Sequence, residues 1–322
     1  MSGNGASSVK RSSARSAVRL ILFVVGAGLF ALAIYAAWAG SSDGVRAFSR
    51  AAEHPGGLAA LVLLPLVCLT LASMSFWVLT LRFGKVSCGE MLALLGGAWL
   101  LNFLPLKPGV AGRVAYHKTV NGIDYRWSLV VVIQSIVIGL CCFGLQVALA
   151  SIAAERLWSE EVKATFIASP LAISLIGLAA PRRGVMTHWW RYCGAFAFRY
   201  ADSLVWALRY WLLFWIAGRP QGLSTTAAIA GISQSASLVP FAGNGLGVRE
   251  WMVGLAARSL PEWYGKDTSM PVLDGVSVEL LNRACEVVVA VPVGLLSLWW
   301  LFRRFGKVRA EESLAAVEAV RS

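Results

Sequence analysis

The sequence predicts an all-α, polytopic integral membrane protein with about six spanning helices and two inverted re-entrant helical hairpins. Three observations carry that expectation. First, hydrophobic residues make up 57% of the 322 residues and charged residues only 14%. A soluble domain carries about 25% charged and about 45–50% apolar residues. Too few charges remain to cover a water-facing surface, which excludes a soluble enzyme, a disordered chain and a disulfide scaffold. Second, the apolar residues fall in runs of spanning length, about 20 residues for about 30 Å of hydrocarbon. Third, the net charge of +12 sits in short loops between those runs. It forms no continuous basic patch, so nucleic acid is not an expected partner.

The six expected spans are Leu20–Ala39, Leu58–Leu81, Trp127–Ala150, Ala164–Ala180, Phe198–Gly218 and Val278–Phe302. The first ends in Ala37-Trp38-Ala39, which imitates a cleavage site. Its apolar core is longer than that of a signal peptide, so it reads as a retained anchor. Two more apolar stretches, Met91–Leu106 and Thr226–Leu260, are broken by Pro and Gly near their middles.

Loop charge sets the path of the chain. Seventeen cations fall on one side, among them Lys10, Arg11, Arg82, Lys118, Arg182, Arg191, Arg199 and Arg303. Six fall on the other: Arg46, Arg50, Arg156, Lys163, Arg219 and Lys266. This puts both termini in the cytoplasm and the protein in the cytoplasmic (inner) membrane. Residues 91–117 then enter and leave from the inside, and residues 226–260 from the outside. Backbone that is not helical at membrane depth must be buried in protein or line a wet cavity. The organisation expected is a basic tail over 1–19, one membrane domain over 20–305 and a short tail over 306–322, amphipathic or disordered. Within the domain, units of about 58–150 and 198–302 repeat.

The repeat is visible in the broken stretches. One reads Asn102-Phe103-Leu104-Pro105-Leu106-Lys107-Pro108-Gly109-Val110-Ala111-Gly112-Arg113. The other runs from Ser237 through Pro240 to Gly245-Leu246-Gly247-Val248-Arg249-Glu250. Each has a short helix, a Pro, a Gly-rich break and then an Arg, and each is flanked by spans. Inverted repeats of this kind place a binding site where two broken helices meet.

The charged residues at membrane depth are the candidate site, because such charges face a cavity or a partner. Arg113 and Arg249 each follow a break. A helix N-terminus favours anions, and an added Arg suits phosphate or carboxylate. The competing readings are a cation reaching the headgroups, or an Arg249–Glu250 pair. Glu279, Arg283 and Glu286 share one face of the last span, with Asn282 beside them. They read as an internal ion-pair ladder, or as Arg283 facing the cavity with Glu286 as partner. The substrate-binding set is therefore Arg113, Arg249, Glu250, Asn102, Gly109, Gly245, Gly247, Arg283 and Glu286. Lys107 and His117 are weaker candidates.

No P-loop, dinucleotide fingerprint, zinc-protease or diphosphate motif is present. Of the six cysteines, Cys68, Cys141, Cys142 and Cys285 sit in apolar runs, and Cys88 and Cys193 in short basic loops. None has metal-ligand spacing. No catalytic residue, metal or cofactor is expected, and the chain does not read as an enzyme. Glu279 and Glu286 are the one acid/base pair on which a membrane-embedded transferase could be built.

The run Asn102-Phe103-Leu104-Pro105 to Gly109 and Gly112-Arg113, with Pro240 to Gly245-Leu246-Gly247-Val248-Arg249-Glu250, resembles the two signatures of the lysylphosphatidylglycerol synthase transmembrane-region family. That family is also described as flippase-like, and it forms the membrane half of multiple peptide resistance factor proteins. The resemblance covers about residues 15–305. Lys107-Pro108 departs from the first signature. It implies translocation of an anionic lipid or polyprenyl-phosphate-linked sugar, without the aminoacyl-transferase half. The alternative is a membrane subunit that assists a separate lipid-modifying or glycosyl-transfer enzyme. A second copy of the chain or a glycosyltransferase is then the expected protein partner.

Overall fold

The computed structural model describes residues 24–25, 27–36, 49–104, 108–154, 158–179, 189–238, 243–265 and 268–321, with side chains to residue 306. The basic tail over 1–19, Pro105, Lys107, Arg156, Arg182, Arg183, Pro240 and Lys266 lie outside the described residues. Among those described there is no strand. A short apolar helix, Ala27–Ala36, precedes nine longer ones. These are α1 (Pro55–Thr80), α2 (Cys88–Leu101), α3 (Pro108–Thr119), α4 (Tyr125–Ala154), α5 (Glu160–Ala179), α6 (Trp189–Ile216), α7 (Leu223–Ser237), α8 (Val248–Trp263) and α9 (Val272–Arg321).

Among the described residues four helices are long and apolar enough to cross a membrane: α1, α4, α5 and the Val272–Gly306 part of α9. By length and composition they make this a multi-pass membrane protein. Helix α6 has 28 residues, ample length for a span, but it carries Arg191, Arg199, Asp202 and Arg209. It also starts nine residues before the expected Phe198. Arg191, Arg199 and Cys193 therefore stand on a helix and not in a loop, because Cys193, Gly194, Ala195 and Ala197 give that basic start a face to bury. Cys88 likewise opens α2. The backbone of the C-terminal tail continues α9 to Arg321.

Local chemistry sets the breaks. Ser87 caps α2, its side chain accepting from the Glu90 amide at 3.2 Å, the S-x-x-E arrangement of a capping box. Helix α3 opens on Pro108, whose missing N–H costs nothing at a first helical position. The turn between α7 and α8 has Asn244 at φ 49°, Gly245 at 75° and Gly247 at 81°. Only residues that tolerate positive φ can build it.

Packing partners exchange when the two units exchange. Helix α1 lies along α6. Helix α4 of the first unit packs on α7 of the second, and α9 of the second packs on α2 of the first. Small residues permit these approaches. A Cβ on Gly231 of α7 would meet the Phe143 carbonyl of α4. One on Gly96 of α2 would meet Ser297 of α9, and Gly294 of α9 faces Leu100 of α2. The N-terminal half of α9 packs on α8 through Gly275 and Gly254. Helix α5 lies between the two units.

Candidate functional site

The interior of this bundle holds a cavity of about 480 Å³. Both broken hairpins reach it. Asn102 and Arg113 come from α2–α3, and Leu238, Asn244 and Arg249 from α7–α8. Helix α6 adds Arg199, Asp202, Trp206 and Arg209, and α9 adds Glu286. Helix α7 adds the polar Gln234 and Ser237, and an apolar flank is made by Leu69, Ala72 and Phe76 from α1 and Val132 and Ile136 from α4.

Buried ions in the upper wall form a closed set. Arg249 grips Glu286 with two hydrogen bonds, Nη2 to Oε1 at 2.8 Å and Nη1 to Oε2 at 3.2 Å. Its Nε stands 2.6 Å from Glu279 Oε1, an ion pair in which the N–H is not aligned for a hydrogen bond. Glu279 also accepts from Tyr210 at 2.5 Å and from Asn282 at 3.2 Å. Tyr210 lies 2.6 Å from Ser233 Oγ. A hydroxyl has one proton, so Tyr210 donates to Glu279 and takes its second bond from Ser233. Arg209 donates to Asn282 at 2.6 Å and to Glu286 at 3.4 Å. Both guanidiniums lie over the Trp206 ring, Arg209 at 4.0 Å and Arg249 at 4.9 Å from its centroid. Three arginines and three glutamates, with Arg283 and Glu250 as the third pair, cancel in net charge. In so dry a place any uncancelled charge is costly.

The pairings differ from those expected. Glu250 does not hold Arg249. It accepts from Arg283, at 3.1 Å from Nε and 2.9 Å from Nη2. Arg283 also donates to the Asn244 carbonyl at 3.0 Å, so it ties the positive-φ turn to α9. The ladder within α9 is not made either. Glu279, Arg283 and Glu286 share a face, but each takes its counter-ion from a neighbouring helix. Arg283 and Glu250 stand outside the cavity lining.

The glycines shape the hairpins and do not line the cavity. A Cβ on Gly109 would run into the Ala98 backbone and Asn102 Oδ1, so this glycine lets α3 close on α2. Gly245 and Gly247 supply positive φ. Of the expected set, Arg113, Arg249, Asn102 and Glu286 are brought together at the cavity. His117 lies below it, 3.2 Å from Asn121 Oδ1.

Arg113 is the exception among the ions. It is 7% exposed and stands in the second turn of α3. Its guanidinium lies 4.1 Å from the Phe76 ring centroid. Among the described residues eleven charged side chains are buried. Ten have a counter-ion within 4.0 Å: Glu90 with Arg304, Lys163 with Glu160, Asp202 with Arg199, Asp274 with Arg219, and the six of the closed set. Arg113 has none. A cation–π contact offsets only part of such a burial.

Four wall residues escaped sequence reasoning: Arg199, Asp202, Trp206 and Arg209. They sit at i, i+3, i+7 and i+10 on α6, one face of a helix. That spacing was the available signal. No protein-family profile, curated protein or solved structure matches this chain.

Proposed function

We propose that this protein is a transporter that moves an anionic lipid, or a lipid-linked anion, between membrane leaflets. The observation that carries the reading is a cavity reached by two broken hairpins, lined by a buried cation, Arg113, that has no counter-ion among the described residues. An apolar flank beside a cationic wall suits a molecule with an acyl tail and an anionic head. The exchange of packing partners between the two units supports an inverted repeat, the architecture in which alternate access rocks one unit against the other. In this proposal six segments span the membrane, α2–α3 and α7–α8 are re-entrant, and both termini are cytoplasmic. The likeness to the lysylphosphatidylglycerol synthase transmembrane region points the same way, to a cytoplasmic-membrane protein.

Two experiments test it. Purified protein reconstituted into vesicles should speed the loss of leaflet asymmetry of a fluorescent anionic lipid, read by quenching from outside. Folded protein that leaves the rate at that of protein-free vesicles overturns transport and favours the assisting-subunit role. Single cysteines in a cysteine-free background test the path. Labelling of position 105 or 117 by an impermeant reagent from outside would overturn the re-entrant arrangement of the first hairpin.

A further inference from the structure

The charge pattern of the cavity goes further and names the ligand chemistry, on the basis of the transport reading above. We infer that the cavity takes a phosphodiester carrying one negative charge and a hydroxylated head. The argument starts from the charge balance. Among the described residues the ion pairs of the wall cancel, and Arg113 alone is left over, a single positive charge. A ligand with one negative charge restores neutrality inside the protein. A pyrophosphate brings at least one further negative charge, which would itself be buried without a partner. A choline or ethanolamine head brings a second cation to a wall that already has one in excess.

Hydrogen-bonding capacity agrees. Arg209 is fully buried, and its Nε and Nη1 have no hydrogen-bond partner. Arg113 and Arg209 both face the cavity. Arg113 presents a planar fork of donors, the geometry that matches phosphate oxygens, and Arg209 backs the same wall with Nε and Nη1 unpartnered. Arg249 does not serve here, since Glu286 and Glu279 occupy its donors. The amides of Asn102 and Gln234 line the same cavity, and each has a buried polar atom without a partner, Oδ1 and Nε2 respectively. Whichever way each amide is turned, together they offer donors and acceptors. A bare phosphate monoester leaves them unanswered, whereas the hydroxyls of a glycerol or sugar head satisfy them.

Two membrane molecules share this chemistry: a phosphatidylglycerol and a polyprenyl-monophosphate sugar. The test is retention of short-chain lipid by the full-length protein in detergent, read by native mass spectrometry and thermal shift. Both readouts are independent of transport. The four probes are phosphatidylglycerol, a polyprenyl-phosphoryl sugar, phosphatidylcholine and polyprenyl pyrophosphate. At least one of the first two should be retained about tenfold or more better than either of the others, and which one it is identifies the source. Arg113→Met should lose that retention by about tenfold or more while unfolding at the same temperature or higher, because it removes an uncancelled buried charge. Arg209→Met should weaken retention too, and Arg219→Ala, remote from the cavity, should leave it unchanged. Equal retention of all four probes, or preference for the pyrophosphate, overturns the assignment. So does undiminished retention in Arg113→Met. Selective retention without leaflet exchange overturns the transport reading and leaves the ligand class standing.

Discussion

The two hairpins read alike in sequence and behave oppositely in electrostatics. In each, a break is followed by an arginine early in the returning helix, although Gly109 and Gly112 of the first lie inside α3 and only the second turn is built on positive-φ glycines. In the second hairpin that arginine, Arg249, is locked by Glu286 and Glu279 of α9. In the first, Arg113 lies over the face of Phe76 and has no counter-ion among the described residues. The two similar motifs thus differ in what they hold: one arginine ties α8 to α9, and the other has no counter-ion among the described residues, which is what the proposal assigns to a ligand. The same motif cannot report this, because the deciding acids lie on a helix outside it.

The comparison can be broken most forcefully at Glu286. Replacing it by Ala strips Arg249 of its bidentate partner and leaves Arg209 without a carboxylate. Removing one partner of a buried pair costs about 3–5 kcal/mol. Thermal unfolding in one detergent should show Glu286→Ala greatly destabilised and Arg113→Met unchanged or improved. Equal losses in both would erase the distinction between the hairpins.

The next effect concerns the tie of the second turn. Arg283→Met leaves Glu250 buried and uncompensated, again at about 3–5 kcal/mol. Adding Glu250→Gln should restore part of that loss. If the double variant is no more stable than Arg283→Met, the Glu250–Arg283 pair is not what holds the turn.

The glycines sharpen the contrast at smaller scale. Gly109→Ala forces a Cβ onto the Ala98 backbone, an overpacking worth about 1–3 kcal/mol. Gly247→Ala must adopt φ 81° and ψ −47°, at about 1–3 kcal/mol of backbone strain. Gly112, three residues from Gly109 on the same helix, has open space around its Cβ position. Gly112→Ala should therefore be neutral or stabilising by about 0.5–1 kcal/mol. Denaturation midpoints that rank Gly112→Ala with Gly109→Ala would show that close approach is not what the first hairpin needs.

The smallest effect is expected at Arg219. It is 3.4 Å from Asp274 with its own side chain 45% exposed, so solvent screens the pair. Arg219→Ala should cost about 0–1 kcal/mol and leave lipid exchange at the wild-type rate. A larger loss in the same assays would make the N-terminal end of α9 part of the device.

How much of this was legible beforehand differs by level. The spans α1, α4, α5 and α9 follow from apolar runs, since crossing hydrocarbon demands about 20 such residues whatever they touch. Helix α6 was legible as a helix but not at its start. Trp189–Tyr192 carries a basic residue, and only packing decides whether such a segment is loop or helix. At the site, Arg113, Arg249, Asn102 and Glu286 were found because charge and amide at depth are costly enough to stand out. Arg209 and Trp206 were not, because a lone Arg and a Trp in an apolar run look the same whether they face a cavity or a neighbouring helix.

The sequence by itself determined the membrane character, the two breaks and part of the set of buried ions, because each is a local consequence of composition, of Gly and Pro, or of the cost of a charge in hydrocarbon. Tertiary structure alone decided the partners. Glu250 is next to Arg249 in the chain but pairs with Arg283, while Glu286, 37 positions from Arg249, holds it. Ion pairs form wherever helices bring their ends together, and the chain's order does not encode that crossing. For the same reason the solitude of Arg113 is a property of the fold: no sequence position lacks acids nearby in principle, and only the packing shows that none arrives.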